Sequence, residues 1–89
     1  MRATAQSKRI NMKMHEGMNI EFSGNADIDF VKGMIPHHQG AIDMANLVLM
    51  YGEDPQARQL ASGIISAQVN EIIEMKRWLR NVEFQSWMQ

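Results

Sequence analysis

The sequence contains no cysteine among its 89 residues. Disulfide bonds and thiolate metal sites are therefore excluded, although this absence does not fix the cellular compartment. No apolar run approaches the roughly 18 residues needed to cross a bilayer, so no membrane insertion is expected. There is also no basic patch interleaved with aromatic residues, and the formal net charge is only -1. Nucleic acid is therefore not an expected partner.

The first residues, 1–11, are polar and lack the apolar centre of a signal peptide. The chain is accordingly expected to be either cytoplasmic or the mature part of an exported protein. Its length fits one small domain, close to the size at which an isolated core becomes marginal. We expect a flexible N-terminus over residues 1–11, one helical domain over 12–80 and a C-terminal tail over 81–89.

The remaining pattern is helical, and no strand-like alternation of any length is present. A short helix of about two turns is predicted from Met12 to Met18. A long helix is predicted from about residue 27 to Tyr51, because an asparagine or aspartate suits its N-cap and Gly52 suits its end. Asp54 followed by proline favours the start of another helix, which reaches about Arg80.

The predicted fold class is all-α: an antiparallel helical hairpin plus a short N-terminal helix, completed to a ferritin-like bundle by self-association. A hairpin of this size buries little surface, so a dimer around a two-fold axis is expected. A monomeric three-helix bundle closed by the N-terminal helix is the alternative. The residues expected to form the dimer contact lie partly off the main apolar stripes: Ile35, Ile42, Leu47, Ile73, Trp78, Phe84 and Trp87.

The most informative stretch of the chain is Met34 to Ala45, which reads Met-Ile-Pro-His-His-Gln-Gly-Ala-Ile-Asp-Met-Ala. At about 100° per residue, histidine and methionine share one broad apolar stripe of a helix. Thioethers prefer Cu(I), whereas imidazole accepts Cu, Zn, Fe and Ni. A soft-metal site is therefore predicted on this stripe, which comprises Phe30, Met34, His37, His38, Ala41, Ala45 and Val48.

Two groups of residues are candidate ligands. Folding the hairpin about Glu53-Asp54 places the two histidines level with the stretch from Gln68 to Met75 on the following helix. The second group is the methionine-dense N-terminal segment. Within the stretch from Gln68 to Met75, Gln68 and Glu71 are expected to orient an imidazole rather than to bind the ion. The candidate ligands are Met34, His37, His38, Met44 and Met75, together with Met12, Met14, His15 and Met18.

Each of these features also has a purely structural interpretation. A histidine on an apolar face is usually satisfied within the core, and methionine commonly fills gaps in a core. The N-terminal cluster could cover the hairpin, and Glu71 could be a solvated charge. Pro36 cannot donate to the carbonyl of Lys32. In the structural interpretation, Pro36 is a tolerated kink or the start of the helix. In the functional interpretation, it bends the helix and so changes the direction of Met34, His37 and His38.

Together these residues resemble the ferritin-like domain-of-unknown-function family 305, which includes CopM-like copper-binding proteins. The resemblance runs from Asp27 through the Met-Ile-Pro-His-His block to Ala45 and continues from Gln68 to Leu79, with a methionine-rich lead-in. It implies a small helical bundle, usually exported, with copper-handling roles for some members. Carried over residue by residue, it points to Met34, His37, His38, Met44 and Met75.

The expected function is copper homeostasis or resistance, without catalysis. The protein would sequester Cu(I), or else Ag(I) or Cu(II), or transfer it to a partner protein, and the resemblance implies a periplasmic or secreted location. A di-iron enzyme of the ferritin type needs two Glu-x-x-His motifs. None occurs here, and the residue three before His37 is Met34. The alternative is a structural helical oligomerisation module without a metal role.

Overall fold

The computed structural model describes residues 2–19 and 21–88, except for the side chain of Ser86. Within these residues the chain forms three helices and no strand. The helices are α1 (Arg2–Met18), α2 (Ala26–Tyr51) and α3 (Pro55–Met88). The all-helical prediction is therefore confirmed. Residues 1 and 89, which belong to the predicted N-terminus and tail, lie outside the described residues.

Both ends of the chain are more helical than the sequence predicts. Helix α1 begins at Arg2 and not near Met12, so the N-terminal helix is longer than the two turns expected. Helix α3 likewise continues beyond Arg80, the expected end, to Met88. Neither stretch contains glycine or proline, so no residue interrupts the helical hydrogen bonds. Polarity was the misleading signal, since α1 has no buried residue and tolerates polar positions throughout.

Short-range hydrogen bonds define both ends of α2. The side-chain oxygen of Asn25 accepts hydrogen bonds from the backbone N–H groups of Asp27 and Ile28, at 3.0 and 3.2 Å. At the other end the Gly52 N–H donates to the carbonyl of Val48 at 2.7 Å. These interactions satisfy groups that a helix end leaves without partners. The predicted limits of this helix are confirmed.

The connection to α3 is equally local. A carboxylate oxygen of Asp54 accepts from the N–H of Ala57 at 2.8 Å, which caps α3 immediately before Pro55. The Arg58 guanidinium then reaches back to α2 and donates to the carbonyl of Leu49 at 2.8 Å. Pro36 stays inside α2, so the helix neither begins nor ends at that residue.

The central helix is α2, which packs against both α1 and α3. Over the part of the chain that the structure describes, α1 and α3 do not contact each other. The Cα atoms extend over 53 × 23 × 15 Å, and the middle extent fits three helices side by side, because the axes of packed helices lie about 8–10 Å apart. The three helices therefore form a single layer, whose long dimension matches the 34 residues of α3 at about 51 Å.

Burial in this layer is limited. Among the residues that the structure describes, few hydrophobic side chains are buried, and none is less than 2% exposed. The predicted core stripe of α2 is wrong in part: Ala45 is buried, but Phe30 is 63% exposed and His37 is also exposed. The reason is that neighbours cover the two flanks of α2 and leave the face between them open. The buried hydrophobic residues are Ile42, Ala45, Leu47, Ala61 and Ile72.

Two of the residues expected at a dimer contact are thereby excluded from that role. Ile42 and Leu47 are 7% and 8% exposed, so they already pack within the protomer. On α3, Ala61 and Ile72 are buried, and Ile65 and Gln68 between them are half-buried at helical spacing. Leu60 and Ile64 of the same helix are open to solvent, with 61% and 43% of their surfaces exposed.

Candidate metal site

Two glycines set the close approach of α1 to α2. A Cβ atom at Gly17 would lie 2.6 Å from the Cβ of Pro36, and one at Gly40 would lie 2.7 Å from the Sδ of Met14. Real Cβ atoms do not approach other atoms this closely, so both positions favour glycine. Pro36 therefore acts as a packing surface for α1, and the Met14 sulfur lies directly against the backbone of α2.

This crossing forms a pocket lined by three of the predicted ligands. Met14 of α1 and His37 and Met44 of α2 line one cavity of about 230 Å³. The remaining lining residues are Ile10, Asn11, Gly40 and Ala41, so the lining carries no carboxylate and no lysine or arginine. His37 is its sole ionisable group. Soft, mostly uncharged donors thus converge on one place.

The order of these donors along α2 is defined by the helix. The Met14 sulfur lies over Gly40, which is three residues after His37 and four residues before Met44. The seven residues from His37 to Met44 correspond to about 10 Å along the helix axis. An atom above Gly40 is therefore roughly 5 Å along the axis from either residue. Imidazole and an unbranched thioether chain both span such a distance.

His38 is engaged differently from His37. Its Nδ1 lies 2.9 Å from the carbonyl oxygen of Met34, and its Nε2 lies 2.5 Å from a carboxylate oxygen of Glu71 on α3. A carbonyl only accepts, so Nδ1 donates to Met34, and Nε2 faces the carboxyl group of Glu71. Protein groups of α2 and α3 thus contact both ring nitrogens, and His38 does not line the α1–α2 pocket.

The two adjacent histidines therefore serve different helix contacts. Their ring centroids lie 6.1 Å apart with the planes tilted by 60°. His37 borders the α1–α2 pocket, whereas His38 bonds to Glu71 of α3. Of the two residues expected to orient an imidazole, Glu71 makes such a contact. Gln68 does not do so among the described residues, where its buried Oε1 has no hydrogen-bond partner.

The other predicted ligands are not part of this pocket. Met34 and Met75 are half-buried but do not line it. The N-terminal cluster is divided by the rotation of α1: Met14 faces α2, whereas Met12 is 62% exposed. His15 and Met18 are exposed as well. Sequence spacing alone did not associate Met14 with His37 and Met44, although Gly40 was a signal for a close helix contact.

A site built from several nitrogen or oxygen donors is not seen in the described ranges. Over residues 2–19 and 21–88, no three side chains of histidine, aspartate or glutamate are grouped to hold one ion. The arrangement that the structure does contain combines two thioethers with one imidazole. Among the three described helices, none has the length and apolar character that crossing a membrane requires.

Fold and pocket define a small all-helical protein with a thioether–imidazole pocket beside its central helix. The chain belongs to the domain-of-unknown-function family 305, whose model matches residues 27–88. It is also similar to the uncharacterized protein L153 of Acanthamoeba polyphaga mimivirus, with 42% identity over 60 residues. The alignment covers 67% of this chain and 40% of that protein, so this chain spans less than half the length of that relative. Helix α1, with Met14, lies outside the family match.

Proposed function

We propose that this protein sequesters or transfers copper, in the Cu(I) state, at the pocket lined by Met14, His37 and Met44. The observation that carries the proposal is this pocket, which combines two thioethers and one imidazole without a carboxylate. Cu(I) is a soft ion and prefers such ligands, whereas harder divalent ions prefer carboxylate and carbonyl oxygens. Ag(I), which shares this preference, is a second ion that the site is proposed to hold.

The oxidation state follows from the ligands. Cu(II) favours nitrogen and oxygen donors in a tetragonal arrangement, and one imidazole between two thioethers does not supply it. Cu(I) needs fewer ligands and has no such geometric demand, so a donor set spaced along one helix is sufficient. Cu(II) should therefore bind to this pocket more weakly than Cu(I).

The exposed donors of α1 are proposed to capture the ion first. Met12, His15 and Met18 lie on the same helix as Met14 but remain open to solvent. Exposed thioethers exchange an ion readily, while the half-buried Met14 holds it against α2. Met34 and Met75 lie outside the pocket, and we do not propose them as direct ligands of the ion.

The wider role rests on the family resemblance. We propose an exported protein, periplasmic or secreted, that acts in copper homeostasis or resistance and passes the ion to a partner protein. Reversible coordination is sufficient for this role, so no catalytic step is proposed. The fold proposed for the functional state is a ferritin-like bundle, with α2 and α3 as an antiparallel hairpin at its centre.

Competition titration tests the proposal. Wild-type protein is titrated with Cu(I) under anaerobic conditions against a Cu(I) chelator, beside a Met14→Leu, Met44→Leu variant. Leucine keeps the volume of methionine and removes the sulfur. We expect at least tenfold weaker binding, about 1.4 kcal/mol. The matched control changes two methionines that are 66% and 65% exposed, Met50→Leu and Met88→Leu.

The control variant should bind as tightly as the wild type. Equal binding by the pocket variant would place the ion elsewhere and contradict the proposal. Failure of the wild type to compete for Cu(I) at all would favour the alternative function, a structural oligomerisation module without a metal role. Methyl-labelled methionine adds a direct readout, since the Met14 and Met44 signals should shift first when Ag(I) is added.

A further inference from the structure

One face of the helix layer is apolar and continuous across all three helices. The α1–α2 pocket and the groove between α2 and α3 share Ala41 and Met44, so both open on the same side. Their combined lining contains no ionisable residue apart from His37. We name this side the front face and define it by Met14, His37, Ala41, Met44, Val48, Leu60 and Ile64.

The opposite side of the layer has a different character. Two further pockets meet the α1–α2 pocket at Ile10, where α1 contacts α2, but their α2 residues lie around the helix from His37, Ala41 and Met44. The charged residues of their linings are Arg9, Lys13, Glu16 and Asp43. Asp43 precedes Met44 and therefore points about 100° away from it around α2. This side has the charge content of an ordinary solvated surface, whereas the front face does not.

The exposed area of the protomer matches what a dimer would bury. The protomer exposes 6778 Å². A compact monomer of 10.2 kDa exposes about 5,300 Å², so the excess is about 1,500 Å². An interface that covered this excess in both copies would bury about 3,000 Å², which lies within the range of about 2,000–5,000 Å² for obligate homodimers. The radius of gyration, 15.7 Å against about 12 Å for a compact chain, agrees with an incomplete core.

The sequence pattern points to the same face. The apolar stripe of α2, which includes Phe30, His37 and Val48, has the periodicity of a buried helix surface. Neighbouring helices leave part of it open, since Phe30 is 63% exposed and His37 is exposed although Ala45 is buried. Such a stripe is buried if a second layer of helices lies on it.

We infer that a second copy of this chain covers the front face around a two-fold axis and encloses the Met14–His37–Met44 pocket. A two-fold contact joins the same surface of each copy, so both pockets become part of one interface. Ligand binding and assembly are then coupled, and each must strengthen the other by the same factor. This coupling rests on the proposed function, whereas the dimer itself does not.

Sedimentation equilibrium at about 100 µM tests the dimer. The expected mass of the wild type is twice 10.2 kDa. A Leu60→Glu, Ile64→Glu variant should sediment at 10.2 kDa, because the new carboxylates would be buried without partners. Both side chains are exposed in the protomer, so circular dichroism should show unchanged helix content. Met50→Glu, at an equally exposed position on the opposite side, should remain dimeric.

A wild-type mass of 10.2 kDa at this concentration would overturn the inference. A front-face variant that stays dimeric would overturn it too, because the interface would lie elsewhere. Binding of a monomeric wild type to phosphatidylcholine vesicles through this face would assign the surface to lipid and not to a second copy.

The Cu(I) titration of the same variants separates this inference from the proposed function. Copper affinity should fall at least tenfold in the Leu60→Glu, Ile64→Glu variant although every ligand is retained. If the Leu60→Glu, Ile64→Glu variant bound Cu(I) as tightly as the wild type, the enclosed site would be rejected. If the Met14→Leu, Met44→Leu variant lost affinity at the same time, the copper function would still be supported. A front-face dimer without Cu(I) binding would reject the copper function and support the dimer.

Discussion

His38 of α2 and Glu71 of α3 are 33 residues apart in the sequence, yet their Nε2 and Oε2 atoms lie 2.5 Å apart. The same imidazole bonds through Nδ1 to the carbonyl of Met34. His38 thus joins two helices, whereas its neighbour His37 borders the pocket that Met14 lines. Adjacent identical residues have different tasks because a helix turns by about 100° per residue.

The first prediction separates the two histidines. His37→Ala should weaken Cu(I) binding at least tenfold, whereas His38→Ala should leave it within about twofold. His38→Ala should instead lower the free energy of unfolding by about 1 kcal/mol, since Glu71 is about half exposed and its hydrogen bond is partly screened. Chelator competition and urea unfolding measure the two effects. Glu74→Gln, one turn from the contact on α3, is the control for unfolding. Loss of Cu(I) affinity in His38→Ala but not in His37→Ala would show that His38 is the ligand.

The second prediction concerns the position of the Met14 sulfur. In Gly40→Ala the new Cβ would lie 2.7 Å from this atom, so the flexible methionine must move off α2. Cu(I) affinity should fall severalfold although all three donors remain. Gly63→Ala is the matched control, because nothing lies within 4 Å of its new Cβ. Equal affinity in both variants would mean that Met14 need not lie over Gly40 to bind.

The third prediction concerns the stability of the α1–α2 contact. Gly17→Ala places a methyl group 2.6 Å from the Cβ of Pro36, and a proline ring cannot move aside as a flexible chain does. Overpacking of this kind costs about 1–3 kcal/mol, and α1 should separate from α2. Gly33→Ala has open space around its new Cβ and should stabilise the protein by about 0.5–1 kcal/mol. Thermal unfolding of both variants tests the sign of each effect, and a stabilised Gly17→Ala variant would exclude the close contact.

The fourth prediction concerns pH and the segment before α2. The backbone N–H and the hydroxyl of Ser23 donate to one oxygen of Asp29 at 2.9 and 2.8 Å. These bonds, with the backbone bond as the largest cause, hold the pKa of Asp29 below its ordinary value of 3.8. The folded state therefore favours the carboxylate. The resulting stability is present above 3.8 and is lost as the pH falls through the lowered pKa.

Carboxyl-detected NMR titration measures this pKa directly. Ser23→Ala should raise the pKa of Asp29 but leave it below 3.8, because the backbone N–H still donates. Asp29→Asn should remove this contribution to the pH dependence of unfolding. A pKa at or above 3.8 in the wild type would show that the two bonds do not persist in solution.

The sequence by itself determined the limits of α2 and the start of α3. Asn25, Gly52 and Asp54 cap helices through bonds to groups at most four residues away, so no distant part of the chain is needed to place them. The outer ends were beyond this reasoning, because α1 and α3 extend through polar residues that carry no cap signal. Their continuation depends on the absence of glycine and proline over long stretches.

Only the tertiary structure decided which of the nine methionines and three histidines meet. The sequence showed that Met14, His37 and Met44 are soft donors, as it did for Met12, Met34 and Met75. The choice among them depends on how α1 crosses α2. Gly17 and Gly40 allow that crossing at a height that brings one sulfur of α1 between two donors of α2. Periodicity places a residue on one face of a helix, but the neighbouring helix decides whether that face becomes core, pocket or open surface.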